Sequence, residues 1–222
     1  MVDDRIPVTA ADLTAAVDCL LAVLEPLADG ASADDWSVPA RESDWTCWEA
    51  LEHLADCLLA YGLQLGPRRA PLDHWVPLAW AHRREGDPGT AIAVDRADGP
   101  AGLLEAIAAT GGLAAAVVAA RGADVRAQHA YGIADPEGFA AMGVVETLVH
   151  GYDVCAALAV DLQPSAGLCA RTLARLFPEV PAGEDPWQVL LWATGRIDLP
   201  GRGEGRRTFT RWHSAPLHEG GQ

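Results

Sequence analysis

Hydrophobic positions recur with the spacing of an amphipathic α-helix in four long segments of the chain. The pattern predicts these helices over residues 9–29, 46–65, 100–120 and 137–160. Shorter apolar segments predict a fifth helix after residue 164 and a sixth over residues 186–194. Ala and Leu, which favour helix, fill most of these segments. The chain is therefore predicted to be all-α, with a four-helix bundle, long crossovers and a short C-terminal helix.

Local signals mark the ends of the first two predicted helices. Thr9 and Thr46 can each act as an N-cap, and Glu49 follows Thr46 at the spacing of a capping box. The segment between the second and third helices, residues 68–99, contains several prolines and is predicted to be irregular. It offers one short candidate strand, over residues 90–94.

The length and composition agree with a single helical domain. The chain has 222 residues, of which 50% are hydrophobic, and this is enough for one sizeable core. We expect the domain to cover residues 1–200. Residues 201–222 are rich in Gly and Arg and are expected to form an irregular tail.

The charge balance excludes several classes of partner. The formal net charge is −15, and such a field repels nucleic-acid phosphates and anionic membrane surfaces. No uninterrupted apolar run reaches the roughly 18 to 20 residues that a membrane span needs. The acidic N-terminus is unlike a secretory signal peptide. Five cysteines without a Cys-x2-Cys pair fit a reduced cytoplasmic protein.

Polar side chains interrupt the apolar fourth segment at Glu146, His150 and Asp153. These residues share one helix face, because side chains three or four positions apart are neighbours on a helix. Burying such groups without partners is costly, and a bound divalent metal would compensate for that cost. A solvated stripe or a hydrogen-bonded core histidine would also explain the pattern. A single Glu-x3-His spacing favours that structural interpretation.

The second helix repeats the spacing at Glu49, His53 and Asp56. Two helices would thus each project a histidine from a largely apolar face that is expected to pack against the core. Together, His53, Glu146 and His150 would form a typical three-ligand set for catalytic zinc, with one coordination position left open.

Nickel, iron or copper can also bind such a set. Asp56 and Asp153 could accept hydrogen bonds from the imidazoles or lie elsewhere in the outer shell. Glu49 could be a fourth ligand, although the capping box already explains it. Two core histidines, each bonded to a nearby aspartate, would produce the same pattern.

The remaining candidate side chains are expected to be structural. His74, His82 and His129 lie in predicted loops and are expected to be solvated. Cys57 follows His53 by one helical turn and could face the same site, but a free cysteine is more often a small core residue. Tryptophans near the second helix are expected mainly to pack, with one or two lining a pocket above the metal: Trp36, Trp45, Trp48, Trp75 and Trp80.

Three segments together resemble a known protein family. The segment Asp44-Trp45-Thr46-Cys47-Trp48-Glu49-Ala50-Leu51-Glu52-His53-Leu54 resembles the W-T-hydrophobic…L-x-x-H-L segment of the DinB-like superfamily. It is more narrowly similar to the mycothiol-dependent maleylpyruvate isomerase group. Residues 146–158 resemble the second signature of that group, and residues 185–196 resemble its L-L-x-x-x-G-R ending. The resemblance covers about residues 9–196.

The resemblance implies a DinB-like four-helix bundle that holds a divalent metal on His53, Glu146 and His150. It also implies mycothiol as the thiol co-substrate of an S-transferase or a cis–trans isomerase. The isomerase itself has a further small α/β domain, whereas only a short tail follows Arg196 here.

We therefore expect a metal-dependent enzyme in which zinc, or else nickel or iron, activates a thiol for attack on a small electrophile. Asp153 is the expected outer-shell residue, and Arg196 is the expected contact for an anionic substrate. A non-catalytic metal- or ligand-binding module is one alternative, and a thiol-independent metal-dependent hydrolase is another. The apolar faces of a bundle also make a homodimer plausible.

Overall fold

The computed structural model describes residues 5–41, 43–202, 207 and 211–217. Within these residues the chain forms α-helices and no β-strand, which confirms the predicted all-α class. A short 3-10 helix, Arg96–Asp98, precedes the third α-helix. The α-helices are α1 (Ala10–Ala28), α2 (Cys47–Leu65), α3 (Gly99–Ala120), α4 (Pro136–Ala157), α5 (Ala166–Leu176) and α6 (Pro186–Ala193).

The predicted irregular segment between α2 and α3 contains no strand. Thr90 instead forms an isolated antiparallel bridge with Ala81. The candidate strand over residues 90–94 fails to form because its backbone amides bond to side chains of α2. The Ala91 and Ile92 amides donate to Asp56, and the Val94 amide donates to Glu52.

Side-chain caps fix the beginning of the two helices that matter most for the site. The Glu49 amide donates to Thr46 Oγ1 over 3.2 Å, and the Thr46 amide donates to Glu49 Oε2 over 2.8 Å. This is the predicted capping box of α2. At the start of α4, the Gly138 amide donates to the Asp135 carboxylate over 2.8 Å. Proline at the first position, Pro136, also suits a helix start.

The four long helices pack around one apolar core. α1 packs against α3 and α4, and α2 packs against the same two helices. Close approach of α1 to α4 depends on glycine: a Cβ on Gly143 would lie 2.8 Å from Leu13 Cδ1, and one on Gly151 would lie 2.8 Å from Leu20 Cδ1. Because α2 also packs directly against α4, one face of α2 lies beside one face of α4.

The helix α3 is more apolar than the sequence pattern suggested. By length and composition alone, the stretch Arg96–Ala120 could cross a membrane, although Glu105 and Thr110 interrupt its apolar run. In the structure, Leu103 and Ile107 are fully buried. A Cβ on Gly111 would lie 2.9 Å from Val17 of α1. The helix therefore packs along one face, and about a third of its most apolar window is buried (33%).

Part of the predicted irregular tail is anchored to the helical domain. The His213 amide donates to the carbonyl of Leu176, and Ser214 Oγ donates to the carbonyl of Gly132. The buried Arg175 donates to the carbonyls of His213 and Ser214 over 2.8 and 3.0 Å. Residues 211–217 therefore lie against α5 and the loop before α4. The rest of the predicted tail, apart from residues 201, 202 and 207, lies outside the described residues.

Candidate metal centre

The three predicted ligands converge where α2 and α4 lie side by side. His53 comes from α2, and Glu146 and His150 come from α4. One potential ligand atom from each residue lies within 4.8 Å of the other two. His150 Nε2 lies 3.0 Å from Glu146 Oε2, and the two imidazole centroids lie 5.2 Å apart. Residues that are 93 or more positions apart in sequence thus meet at one point.

The helices leave these side chains little freedom. On α2, Leu51 and Leu54 flank His53 in sequence and are fully buried, so that the helix face is fixed against the core. On α4, Leu148 is fully buried between Glu146 and His150. Because Glu146 and His150 are four positions apart, one turn of helix holds both in the correct relative orientation.

Burial and neighbouring groups set the charges of the cluster. Burial, and then the nearby His150, lowers the pKa of His53 to about 4, although Glu146 acts in the opposite direction. Burial alone would raise the pKa of Glu146, but hydrogen bonding to His150 and the two imidazoles outweigh it. The pKa of Glu146 therefore falls below its usual value. At neutral pH the cluster offers a carboxylate and a neutral His53 imidazole, which are the states that a metal ligand requires.

Two further side chains of α2 contact the ligands. The Tyr61 hydroxyl donates to Glu146 Oε1 over 3.3 Å. Burial, followed by the charge of Glu146, raises the pKa of Tyr61 well above its usual value, so that the hydroxyl keeps its proton. The Sγ of Cys57 lies 3.4 Å from His53 Nε2. Burial raises the pKa of Cys57 well above its usual value too, and its thiol is therefore protonated in the metal-free protein.

A cavity of about 320 Å³ opens beside the cluster. Three aromatic rings and two valines form the apolar part of its wall, and the three converging side chains, a guanidinium group and a threonine form the polar part. The Trp45 ring lies 4.9 Å from that of His53 and 5.9 Å from that of His150. The lining residues are Trp45, His53, Tyr131, Val145, Glu146, Val149, His150, Thr194, Arg196 and Trp212. Of the five tryptophans considered from sequence, Trp45 is the one in this lining.

Asp153 and Arg196 are paired with each other. Arg196 Nε and one terminal nitrogen donate to the same Asp153 carboxylate oxygen over 3.2 and 3.0 Å. The other terminal nitrogen donates to the carbonyl of Thr194. Asp153 thus holds the guanidinium at the cavity wall, and among the described residues it has no hydrogen bond to an imidazole. The sequence identified both residues but not their pairing.

Neither Asp56 nor Glu49 contributes to the cluster. One Asp56 carboxylate oxygen accepts from the backbone amides of Ala91 and Ile92, so Asp56 orders a loop instead of orienting an imidazole. Glu49 caps α2, and its carboxylate also accepts from the Arg84 guanidinium over 2.6 and 2.7 Å. The capping box therefore explains Glu49, and Glu49 is not a fourth ligand beside His53, Glu146 and His150.

The expectation for the loop histidines is wrong for one of them. The His74 and His82 side chains are 64% and 69% exposed, as predicted. His129 is only 4% exposed. Its Nδ1 accepts from the Tyr131 amide over 3.2 Å, and burial lowers its pKa to about 4. The ring of Tyr131 from the same loop and four rings from other segments surround it; these four belong to Tyr61, Trp75, Phe139 and Trp212.

Trp212 is the lining residue that sequence reasoning missed. Its ring lies 5.2 Å from that of Tyr131 and 6.0 Å from that of His129. The available signal was a tryptophan in a polar, Gly-rich stretch. Such a residue tends to be buried because its apolar area is large.

We expect acid to destabilise the metal-free protein because of His53 and His129. In the folded state both have a pKa of about 4, below the ordinary value of 6.5. Between those pH values the unfolded chain binds protons that the folded chain does not, so the free energy of unfolding falls as the pH is lowered. Above pH 6.5 neither group contributes to the pH dependence. Each histidine accounts for up to about 3 kcal/mol.

Urea titrations of the metal-free protein at pH 7, 5.5 and 4.5 measure this loss. His129→Gln can still accept the Tyr131 amide but does not titrate in this range. The variant should therefore lose less stability than the wild type between pH 7 and 4.5. Equal losses in the two proteins would contradict the assignment of a depressed pKa to His129.

The donor set of the cluster fits a divalent transition metal. Two imidazole nitrogens and one carboxylate oxygen are typical ligands of zinc, and they also suit nickel and iron. His53 is neutral and Glu146 is anionic at neutral pH, so neither has to lose a proton before it binds a metal. The adjoining cavity offers space for a small molecule next to the three side chains.

Comparison of the chain with protein-family models, with curated protein sequences and with solved structures finds no match in any of the three. The function must therefore be argued from the site itself.

Proposed function

We propose that the chain is a metal-dependent enzyme that uses a low-molecular-weight thiol, with mycothiol as the thiol that the family resemblance implies. His53, Glu146 and His150 would hold the cation, with zinc as the first choice and nickel or iron as the others. The observation that supports this most strongly is the convergence of these three side chains within 4.8 Å of one another.

The packing of α1, α2, α3 and α4 supports a finer description of the fold. We propose that these helices form a DinB-like four-helix bundle, with the metal centre between α2 and α4. The two facing helices supply the ligands from their inner faces, as in other metal-binding bundles. The five cysteines are all free thiols, which fits work in the reducing cytoplasm.

When bound, a divalent cation would lower the pKa of a coordinated thiol and make it nucleophilic near neutral pH. The residues of the chain would then position the reactants. The rings of Trp45, Tyr131 and Trp212 would exclude water from the substrate. Arg196, held in place by Asp153, would contact a negatively charged group of the substrate.

The covalent step would be addition of the thiolate to an activated double bond. A lone pair of the sulfur forms a C–S bond, and the π electrons of the double bond move towards the electron-withdrawing group. Uptake of a proton at carbon gives a thiol conjugate. Rotation about the new single bond, return of the electron pair and expulsion of the thiolate give the isomerised alkene instead.

The test is turnover by the zinc-loaded protein with mycothiol and a panel of electrophiles that includes maleylpyruvate. We expect loss of thiol or isomerisation only when both zinc and mycothiol are present, and no turnover by a His150→Ala variant. Zinc binding without turnover of any pair would overturn the enzymatic proposal and indicate a binding module. Turnover that persists without thiol would overturn it in favour of a hydrolase.

A further inference from the structure

A buried tyrosine on α2 contacts one of the three converging side chains. Tyr61 follows His53 by eight positions, about two helical turns, and therefore lies on a similar face of α2. The residue is 5% exposed. Its ring centroid lies 5.5 Å from that of Phe139 and 5.9 Å from that of His129, and these contacts fix the direction of the hydroxyl. The hydroxyl donates to Glu146 Oε1 over 3.3 Å.

The two oxygens of Glu146 thus have different surroundings. Oε1 accepts from Tyr61, and Oε2 lies 3.0 Å from His150 Nε2. Carboxylates can bind a cation through one oxygen or through both. A hydroxyl that donates to Oε1 competes with a cation for the lone pairs of that oxygen. Oε2 remains directed towards the imidazole that completes the proposed ligand set.

We infer that Tyr61 is a positioning residue that restricts Glu146 to binding the cation through Oε2. This inference rests on the proposed metal centre. With Tyr61 in place, two imidazoles and a single carboxylate oxygen leave room for the sulfur of a thiol. Without the hydroxyl, the Glu146 carboxylate can rotate and offer both oxygens, and that room is reduced.

The test uses Tyr61→Phe, which keeps the ring and removes only the hydroxyl. Tyr152→Phe is the matched control, because Tyr152 is half-buried on α4 and its ring packs against Trp187 at 6.0 Å. Each protein is loaded with cobalt(II), whose visible absorption is stronger in four-coordinate than in five-coordinate sites. Cobalt affinity is measured by competition with a chelator, and thermal unfolding of the metal-free proteins confirms that each variant is folded.

We expect Tyr61→Phe to bind cobalt about 10- to 100-fold more weakly, because the carboxylate must be ordered when the metal binds. Its visible absorption should also be weaker than that of the wild type. Tyr152→Phe should match the wild type in both measurements. An unchanged cobalt spectrum in Tyr61→Phe would overturn the inference, even if the affinity falls, because a loss of packing alone lowers affinity without changing coordination. An unchanged affinity would overturn it as well.

The same experiment separates this inference from the proposed function. If the wild type and Tyr152→Phe bind cobalt normally and Tyr61→Phe does too, only the role of Tyr61 is rejected. If the wild type binds no cobalt, both the metal centre and the role of Tyr61 are rejected.

Discussion

Replacing His150 with alanine is expected to lower the zinc affinity roughly 100- to 1000-fold, since structural zinc sites gain about 3 to 4 kcal/mol per ligand. The change removes one of three ligand side chains and also leaves Glu146 without the imidazole that lies 3.0 Å from its Oε2. His53→Ala should have an effect of similar size, because His53 is the one ligand that α2 supplies. Competition with a chromophoric chelator measures both affinities.

His74→Ala is the control for these two variants. The His74 side chain is 64% exposed, and its Nδ1 lies 2.6 Å from the neighbouring Asp73 carboxylate. Its removal should leave the zinc affinity unchanged. Wild-type affinity in either His150→Ala or His53→Ala would show that zinc binds elsewhere, and the proposed centre would have to be abandoned.

Replacing Arg175 with methionine is expected to lower the free energy of unfolding by about 3 to 5 kcal/mol. The Arg175 side chain is completely buried and donates to Asp135 over 2.8 Å. It also donates to the backbone carbonyls of residues 213 and 214. Methionine keeps the apolar volume, but two carbonyls lose the guanidinium as donor, and the Asp135 carboxylate loses its ion pair and keeps only the Gly138 amide. Breaking a buried pair on one side is costly for that reason.

Urea denaturation of the metal-free protein measures this loss. Arg69→Met is the control, because Arg69 is exposed and a surface substitution should change stability by no more than about 0.5 kcal/mol. Asp135 is also the N-cap of α4, so the Arg175→Met variant should lose order at the start of the helix that carries Glu146 and His150. Equal stability of Arg175→Met and the wild type would show that the buried arginine contributes no net stability.

The sequence predicted the parts of the structure that depend on local patterns. Helical periodicity located the six helices, and the spacing of Thr46 and Glu49 predicted the cap of α2. The Glu-x3-His spacing on α4 predicted that two of the proposed ligands share a helix face. His53 occupies the matching position on α2, and this predicted it as the third ligand. The prediction requires that the two histidine-bearing faces of α2 and α4 pack against each other.

Contacts between distant segments could not be predicted in this way. His129 lies in a loop, and its burial depends on rings from α2, α4 and residue 212. The pairing of Asp153 with Arg196 depends on where the chain goes after α6. The residues 90–94 have a strand-like composition, but α2 supplies the carboxylates that bind their amides. In each instance a partner remote in sequence decides the outcome.

The aromatic wall of the cavity comes from three separate segments of the chain. Trp45 precedes α2, Tyr131 precedes α4, and Trp212 belongs to the anchored segment after α6. Each of the three stands outside the helices that form the framework. Ligand preference could consequently be altered by randomising these three positions in a combinatorial library. The helices, with the imidazoles of His53 and His150, would keep their sequence in every variant.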